Sequence, residues 1–248
     1  RVKEQYGNQA IFAGSYGWAS AGRFHHAQSQ VHRFLNCIGG YTRSVNTYSL
    51  ASAEVILPHI MAPLFPMLVE STSWPSVVEN TDLLVAFGGI PLKNGQINSG
   101  GVGRHVQKEH LKQVAEAGVD VVNISPVRSD IADFARTEWL APRPSTDSAL
   151  LIAIAQILHA EGLVDAEFIK RYTHGYAEFV PYLTGEKDGV VKDATWAADI
   201  TGLGAETIQK LALKMAKGRT MISLSWSLTR QHHGEQAYWA GVTVAAML

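Results

Sequence analysis

The residues with the greatest potential for chemistry follow four predicted strands. The segments GSYGWAS, GGIPLKN, SPVRSD and WSLTRQHHG each come after an apolar run and combine small residues with polar or basic ones. Three of them contain Lys93, Arg128 and Arg230. Because ligands of open parallel α/β sheets bind at the carboxyl ends of the strands, these side chains and the loop N–H groups predict a large phosphate-bearing ligand, such as a nucleotide-like cofactor.

No sequence fingerprint narrows this prediction. GxGxxG does not open a helix after the first predicted strand, and GxxxxGK[ST] does not occur, so the dinucleotide fingerprint and the P-loop are both absent from the sequence. The glycine-rich segment 100–104 is explained at least as well as a flexible surface loop. The prediction therefore depends on where the polar loops lie.

Two adjacent histidine pairs occur, His25 with His26 and His232 with His233. Neighbouring residues in a helix point about 100° apart, so neither pair presents both rings to one metal ion from one face. The HExxH motif is also absent. We expect the pairs to be polar linings of a cleft or an interface.

Two single side chains have ordinary structural explanations. Ser49 precedes the apolar segment LASAEVIL and, taken by itself, is predicted to cap the N-terminus of a helix. Cys37 lies among apolar neighbours in RFLNCIGG and is predicted to be a small buried side chain without chemistry. Because it is the single cysteine, an internal disulfide and an all-cysteine zinc or iron–sulfur site are excluded.

Apolar runs and helical periodicity alternate along the chain, which predicts an α/β fold with open, mostly parallel sheets flanked by helices. The run TDLLVAF is typical of a strand buried on both faces. Residues 145–160 are apolar nearly all round, which predicts a buried helix, whereas YLTGEKDGVVKD is predicted to be an exposed loop or hairpin. The predicted strands are 10–13, 81–87, 119–124, 139–140 and 220–225, and the predicted helices include 24–37, 105–117 and 145–160.

Composition limits the classes of partner. With 248 residues, of which 46% are hydrophobic and 17% charged, the chain is long enough for one large core or two smaller ones. A formal net charge of -1 and the lack of a block of like charges argue against a nucleic-acid partner. The most apolar stretch, 149–158, is too short to cross a bilayer, so the chain is not expected to span a membrane.

We expect three segments to share two domains. Residues 1–80 would be part of a first α/β domain that contains Ser49, residues 81–217 a second α/β domain with a helical insertion, and residues 218–248 a return to the first. The chain opens at Arg1 and closes in the apolar run YWAGVTVAAML, which has no cap. Both ends are therefore expected to be truncated and the domains to be partial.

A series of motifs also occurs in a fixed order along the chain. They are GSYGW, GRFHHAQSQ with RFLN, YS followed by ILPH, TSWP with VENTDL, ISPVR, PRPSTD, YLTGE with WAADITGL, GRTM and SWSLTRQHHGEQ. In this combination the sequence resembles the molybdopterin-containing S- and N-oxide reductases, the family of the dimethyl sulfoxide, trimethylamine N-oxide and biotin sulfoxide reductases. Proteins of this family are much longer, so the resemblance implies an internal fragment of a larger multidomain enzyme.

The resemblance implies a molybdenum ion held by two molybdopterin guanine dinucleotides, and the reduction of a small S-oxide or N-oxide by oxygen-atom transfer. Ser49 matches the position whose side-chain oxygen ligates the metal, and Tyr16 and Trp18 match aromatic residues above it. A hard alkoxide suits a high-valent molybdenum whose soft sulfur ligands come from the cofactor. The phenol would hydrogen-bond the substrate oxygen, and the indole would close the pocket against water.

The resemblance also implies five groups of cofactor-binding residues. Asp147 would accept hydrogen bonds from guanine N–H groups, and Arg230 would pair with a pyrophosphate. Because Asp147 opens a predicted helix, the helix dipole alone would also favour a carboxylate there. The full set is Trp18, Ala19 and Ser20; Lys93 and Asn94; Ile124 and Ser125; Ser145, Thr146 and Asp147; and Trp226, Ser227 and Arg230.

The sequence departs from the better-known reductases in several of these loops. Asn46 and Thr47 stand where those proteins have Gly-Asp, Ile90 replaces an acid or amide, and Ser125 stands where Asn or Asp is common. The substrate of one relative is therefore not transferred to this chain. The tyrosine of GSYGW favours the sulfoxide reductases.

The resemblance further implies a membrane-anchored c-type cytochrome as electron donor and a periplasmic location, with a cytoplasmic location as the alternative. Two other hypotheses remain open at this point. One is that the chain is a nucleotide-binding α/β module without redox activity. The other is that it is a catalytically inert fragment of an active parent.

Overall fold

The computed structural model describes residues 1–22, 24–98, 103–132 and 136–248, with the backbone alone of Arg136. These residues form two compact units. Unit 1 consists of Arg1–Thr47 and Leu92–Gln107, and unit 2 consists of Tyr48–Pro91 and Lys108–Leu248.

Unit 1 is built from short elements. Helix α1 spans Val2–Tyr6, strand β1 spans Phe12–Ala13, helix α2 spans Ala27–Cys37, and strand β2 spans Thr42–Arg43, which pairs with β1 in parallel. His26 caps α2 because its Nδ1 accepts a hydrogen bond from the Ser29 N–H at 3.2 Å, so the helix begins later than residue 24. The Asn8 side-chain amide donates to the carbonyl oxygens of Ile38 and Gly40, which ties down the end of α2.

Unit 2 contains a parallel sheet. Its described strands are β3 (Leu83–Phe87), β4 (Asp120–Ile124), β5 (Arg136–Leu140) and β6 (Thr220–Leu224), in the order β5-β4-β3-β6. Every pairing in the sheet is parallel, with Phe87 in register with both Ile124 and Leu224. All four carboxyl ends therefore lie at one edge of the sheet. The predicted α/β class with parallel sheets is confirmed.

Helices cover both faces of this sheet. In β3, Leu83, Val85 and Phe87 point into one apolar cluster, whereas Leu84 points into a second that includes Val77. This alternation is why the whole strand is apolar. The helices of unit 2 are α3 (Ala51–Ile60), α4 (Leu64–Val69), α5 (Trp74–Asn80), α6 (Gln107–Glu116, which starts at the last residue of unit 1), α7 (Asp147–Ala160), α8 (Ala166–Tyr172), α9 (Tyr176–Leu183), α10 (Ala194–Thr201), α11 (Ala205–Met215) and α12 (Glu235–Met247).

Helix α7 is the centre of the larger cluster. Leu150, Leu151, Ile154 and Leu158 are fully buried, and α10, α11 and α12 pack around the helix. The predicted buried helix is therefore confirmed, and it places Asp147 at a fixed point at the start of α7.

The structure corrects three local predictions. Ser49 is not the cap of α3, because Leu50 occupies the N-cap position and no side chain caps the helix. Cys37 is exposed: Leu35 is the buried residue of α2, and a residue two positions along a helix points to the other side. The segment YLTGEKDGVVKD is not uniformly exposed, because Lys192 is buried at its end.

The division at residue 217 does not separate two sheets. Strand β6 pairs with β3 along its whole length, so residues on both sides of that boundary belong to unit 2. Ser49 and residues 218–248 also lie in unit 2. The assignment of these segments to domains of a longer protein stays a prediction.

Candidate cofactor site

The loop after β3 is packed against the loops after β4 and β6. Gly88 and Gly89 have φ values of +80° and +71°, which favour glycine. A Cβ on Gly88 would lie 2.6 Å from the Cβ of Ser225, and one on Gly89 would lie 2.6 Å from the Cβ of Asp130. The two glycines therefore allow three strand ends to be joined by closely spaced main chain, as a site for a phosphate-bearing ligand requires.

The loop after β4 is organised by Ser125, which is buried. Its hydroxyl donates to Asp130 Oδ2 at 2.8 Å and accepts from the Val127 N–H at 3.1 Å, and its carbonyl accepts from Trp139 Nε1 at 2.9 Å. Ile124 is fully buried at the end of the strand. Ser125 thus shapes the loop, whereas Ile124 packs in the apolar core at the end of β4.

Asn123 is a residue that the sequence analysis missed. It is fully buried within β4, and its Nδ2 donates to the Arg128 carbonyl at 3.2 Å. Its Oδ1 has no hydrogen-bond partner within the described part of the chain. A buried amide oxygen without a donor is costly, so this atom suits a ligand N–H or a water molecule. The signal in the sequence was a polar residue inside the apolar run VVNI.

The segment before α7 places a carboxyl group inside the protein. Ser145 has a φ of +70°, and Thr146 Oγ1 donates to the Arg143 carbonyl at 2.7 Å, which closes a tight turn before the helix. Asp147 follows as the first residue of α7 and is buried. Desolvation raises the pKa of its carboxyl above the ordinary value, although a hydrogen bond with its own main chain opposes the shift. Such a group favours a ligand that brings N–H donors.

The loop after β6 contacts the start of α3. Arg230 Nε donates to the carbonyl oxygen of Ser49 at 3.0 Å, and Ser52 Oγ donates to the carbonyl oxygen of Thr229 at 3.1 Å. Unit 2 therefore brings together Ser49 and Arg230, which are far apart in the sequence.

The rest of this loop is held by short-range bonds. The hydroxyls of Ser225 and Ser227 are 2.9 Å apart, and Thr229 Oγ1 donates to the Trp226 carbonyl at 2.8 Å. The indole of Trp226 is 39% exposed, and Gln231 Oε1 is buried without a hydrogen-bond partner in the described residues. The loop thus contains a partly exposed indole and a buried acceptor that has no donor among the described residues.

Unit 1 contains the other predicted positions. Tyr16 is 62% exposed and Trp18 42% exposed, and the Trp18 N–H donates to the Tyr16 carbonyl at 2.7 Å in a tight turn. Gly17 lies between them, where a Cβ would stand 2.6 Å from that of Ala27. The turn therefore holds both aromatic rings at the surface, and Ser20 ends it in extended backbone.

A small cavity of about 120 Å³ joins two of the predicted loops of unit 1. Ala19 lines it together with residues that follow Lys93 and Asn94, which lie in the 3₁₀ turn Leu92–Gln96. The first and second predicted cofactor loops are thus neighbours. The lining residues are Ala19, Gln96, Ile97, Asn98, Gly103 and His105.

The donor set of the described residues fits a large cofactor better than a metal ion bound by side chains alone. In the described ranges, no group of three or more His, Cys, Asp or Glu side chains is arranged to hold a metal ion. Asp147, Asn123 and Gln231 instead provide buried oxygens for N–H donors, which pterin and guanine rings carry in number. None of the described helices has both the length and the apolar character that a bilayer-spanning helix needs.

Comparison with known proteins gives consistent matches. The model of a family described as molybdopterin oxidoreductase matches residues 1–248. The chain is 43% identical to the biotin sulfoxide reductase of Cereibacter sphaeroides, of which it covers 33%, and 44% identical to the dimethyl sulfoxide/trimethylamine N-oxide reductase of that organism, of which it covers 30%. Both alignments cover 100% of this chain. It therefore spans about a third of the length of these curated relatives.

One less similar relative and one solved structure also match the chain. The trimethylamine-N-oxide reductase of Haemophilus influenzae is 38% identical over 100% of this chain and 30% of its own length. Among solved structures, the acetylene hydratase from Pelobacter acetylenicus aligns with a TM-score of 0.64 and 21% identity, over 99% of this chain and 30% of that one. This last likeness concerns the fold alone.

Proposed function

Because this chain belongs to the molybdopterin oxidoreductase family, we propose that the protein containing it reduces small S-oxides or N-oxides by oxygen-atom transfer. Relatives that are 38–44% identical are named for biotin sulfoxide, dimethyl sulfoxide and trimethylamine N-oxide. The observation that carries the proposal is the hydrogen bond from Arg230 to Ser49. It joins the serine that matches the family's metal ligand to a loop of predicted cofactor residues.

Family membership implies molybdenum and molybdopterin. We further propose the form with two guanine dinucleotides, supported by the buried acceptor of Asp147. When bound, this group supplies the two-electron chemistry that breaks the S=O or N–O bond, with the oxygen leaving as water after the uptake of two protons.

The chain's own residues would bind the cofactor and orient the substrate. Ser49 would offer a hard oxygen ligand, and the phenol of Tyr16 would donate a hydrogen bond to the substrate oxygen. By the same resemblance, the indole of Trp18 would exclude water from the substrate, which strengthens electrostatic interactions with it. Asp147 would accept from guanine N–H groups, and Arg230 would add positive charge for a pyrophosphate.

We also propose a periplasmic location and a membrane-anchored c-type cytochrome as electron donor. Reduction of the purified protein by a reduced c-type cytochrome, and cell fractionation, test these two statements separately.

The test of the proposed function uses the full-length protein. Wild type is expected to contain molybdenum and to reduce dimethyl sulfoxide or trimethylamine N-oxide with a reduced viologen dye. Ser49→Ala removes a metal ligand and is expected to lower kcat by more than about 100-fold, because even outer-shell changes at metal sites cost 10- to 100-fold. Ser71→Ala changes an exposed serine and is the matched control.

Two outcomes would contradict the proposal. One is a full-length protein without molybdenum; if it still bound a nucleotide, it would support the nucleotide-binding module. The other is Ser49→Ala with the absorption spectrum and the turnover of wild type.

A further inference from the structure

We propose that Arg230 and Ser52 are positioning residues that fix the main chain of Ser49, and so the direction of its hydroxyl. This inference rests on the proposed function, in which Ser49 ligates the metal. It assigns Arg230 a role besides the pairing with a pyrophosphate expected from its charge.

The first argument is the geometry of the two hydrogen bonds. Arg230 Nε donates to the Ser49 carbonyl at 3.0 Å, and Ser52 Oγ donates to the Thr229 carbonyl at 3.1 Å. They run in opposite directions between the same two segments. A single hydrogen bond would fix one distance between the two segments, whereas two hydrogen bonds at separate points also fix the orientation of one segment relative to the other.

The second argument is that Ser49 lies outside a regular element. It precedes α3, whose N-cap Leu50 provides no side-chain cap. Leu50 is buried and anchors the chain after Ser49, but Tyr48, before it, is 92% exposed. A bond to the Ser49 carbonyl restricts the torsion beside the Cα that carries the hydroxyl. Arg230 therefore acts on a residue that lies before the first turn of α3.

The third argument is the close packing of Gly234 against the main chain of Thr229. A Cβ on Gly234 would overlap the carbonyl oxygen of Thr229 and lie 2.6 Å from its carbonyl carbon. The φ of Gly234 is -62°, a value that alanine adopts without strain, so the objection to a side chain is steric. Gly234 lets the Thr229–Arg230 peptide lie where it meets Ser49 and Ser52.

Three substitutions in the full-length protein test the inference. Ser52→Ala removes one bond, and alanine is a good helix former in α3, so the variant is expected to fold. Arg230→Lys keeps the charge for a pyrophosphate but loses the planar Nε donor. Gly234→Ala displaces the Thr229–Arg230 peptide without changing either donor. Arg171→Lys, an exposed arginine on α8 that contacts the Tyr172 ring, is the control.

The readouts are molybdenum content, the EPR spectrum of molybdenum(V) after partial reduction, and kcat and KM for dimethyl sulfoxide. We expect each of the three variants to keep its molybdenum within about twofold, to show a shifted EPR spectrum, and to lose about tenfold in kcat, the lower end of the range for outer-shell changes at metal sites. The Ser52→Ala, Arg230→Lys double variant is expected to lose less than the product of the single losses, because both act on one contact. The control should match wild type.

The possible failures are distinguishable. Wild type with molybdenum and reductase activity, together with unchanged EPR spectra and kcat in Ser52→Ala and Arg230→Lys, overturns the positioning role and leaves the proposed function intact. Wild type without molybdenum or activity overturns both. If Gly234→Ala fails to fold, the other two variants still decide between these results.

Discussion

The main chain of Asp130 occupies the space that a side chain on Gly89 would need. An added Cβ would overlap the Asp130 carbonyl oxygen, and that same oxygen accepts a hydrogen bond from the Ile90 N–H at 2.7 Å. The loops after β3 and β4 are thus joined through their backbones. This contact defines part of the edge at which we place the cofactor.

Gly89→Ala is therefore expected to destabilise the protein by about 2 kcal/mol or more, because it adds a backbone clash to an unfavourable positive φ. Urea unfolding of the full-length protein, followed by fluorescence, measures the change. Gly118→Ala is the matched control, since Gly118 has a φ of +78° and nothing within 4 Å of an added Cβ. Equal losses in the two variants would show that the contact with Asp130 contributes nothing.

Asp147→Asn is expected to stabilise the protein without cofactor at pH 7. Burial raises the pKa of the Asp147 carboxyl above its ordinary value of 3.8. Since the folded state then binds the proton more tightly, the stability from this group is full below 3.8 and is lost as pH rises through the folded pKa. Asparagine does not titrate, so the difference between the variants should shrink as pH falls toward 3.8.

The same substitution should weaken cofactor binding, because an amide offers N–H donors where the carboxylate only accepts. Thermal unfolding of the apoprotein at several pH values, and molybdenum content after expression, measure the two effects. Greater stability of wild type at pH 7 would contradict the stated cost of burial. Unchanged cofactor content would remove Asp147 from the proposed site.

Lys192→Met is expected to cost about 2 kcal/mol, in the range for hydrogen bonds to charged groups. The buried Lys192 Nζ donates to both carboxylate oxygens of Asp188, at 2.8 and 2.7 Å, and to the Val190 carbonyl, and it lies 4.4 Å from the centre of the Tyr182 ring. Its hydrogen bond holds the pKa of the Asp188 carboxyl below the ordinary value.

The matched control is Lys210→Met, which removes an exposed pair with Glu206. Exposed ion pairs contribute little to stability, so the urea midpoint of Lys210→Met should stay close to that of wild type. A larger loss in Lys210→Met than in Lys192→Met would contradict the importance of burial. The same measurement at high salt should leave the Lys192 effect largely unchanged, because a buried group is poorly screened.

The sequence predicted the sheet well because apolar runs depend on local composition. LLVAF contains no polar residue, and a strand buried on both faces requires that pattern. The position of Asp147 at the start of α7 was also predictable, because helix starts have local signals. Its burial was not, because the helix dipole favours a carboxylate at a helix start whether or not that group is buried.

Other predictions failed where contacts between different parts of the chain determine the local structure. Ser49 was predicted to cap α3, but α3 begins after Leu50, and Ser49 is held by Arg230. Cys37 has apolar neighbours in sequence but lies on the exposed side of α2. The segment that contains Lys192 was predicted to be exposed from its charge and glycine, but the Lys192 ammonium group is buried in contact with Asp188, Val190 and Tyr182.

The strand order also affects biosynthesis. β3 pairs on one side with β4, which follows it closely, and on the other with β6, which is translated only after five further helices. At about 5–20 residues per second, one row of amide and carbonyl groups on β3 waits several seconds for its partner. During that interval the unpaired edge of β3 can pair with a strand of another chain, so aggregation competes with folding.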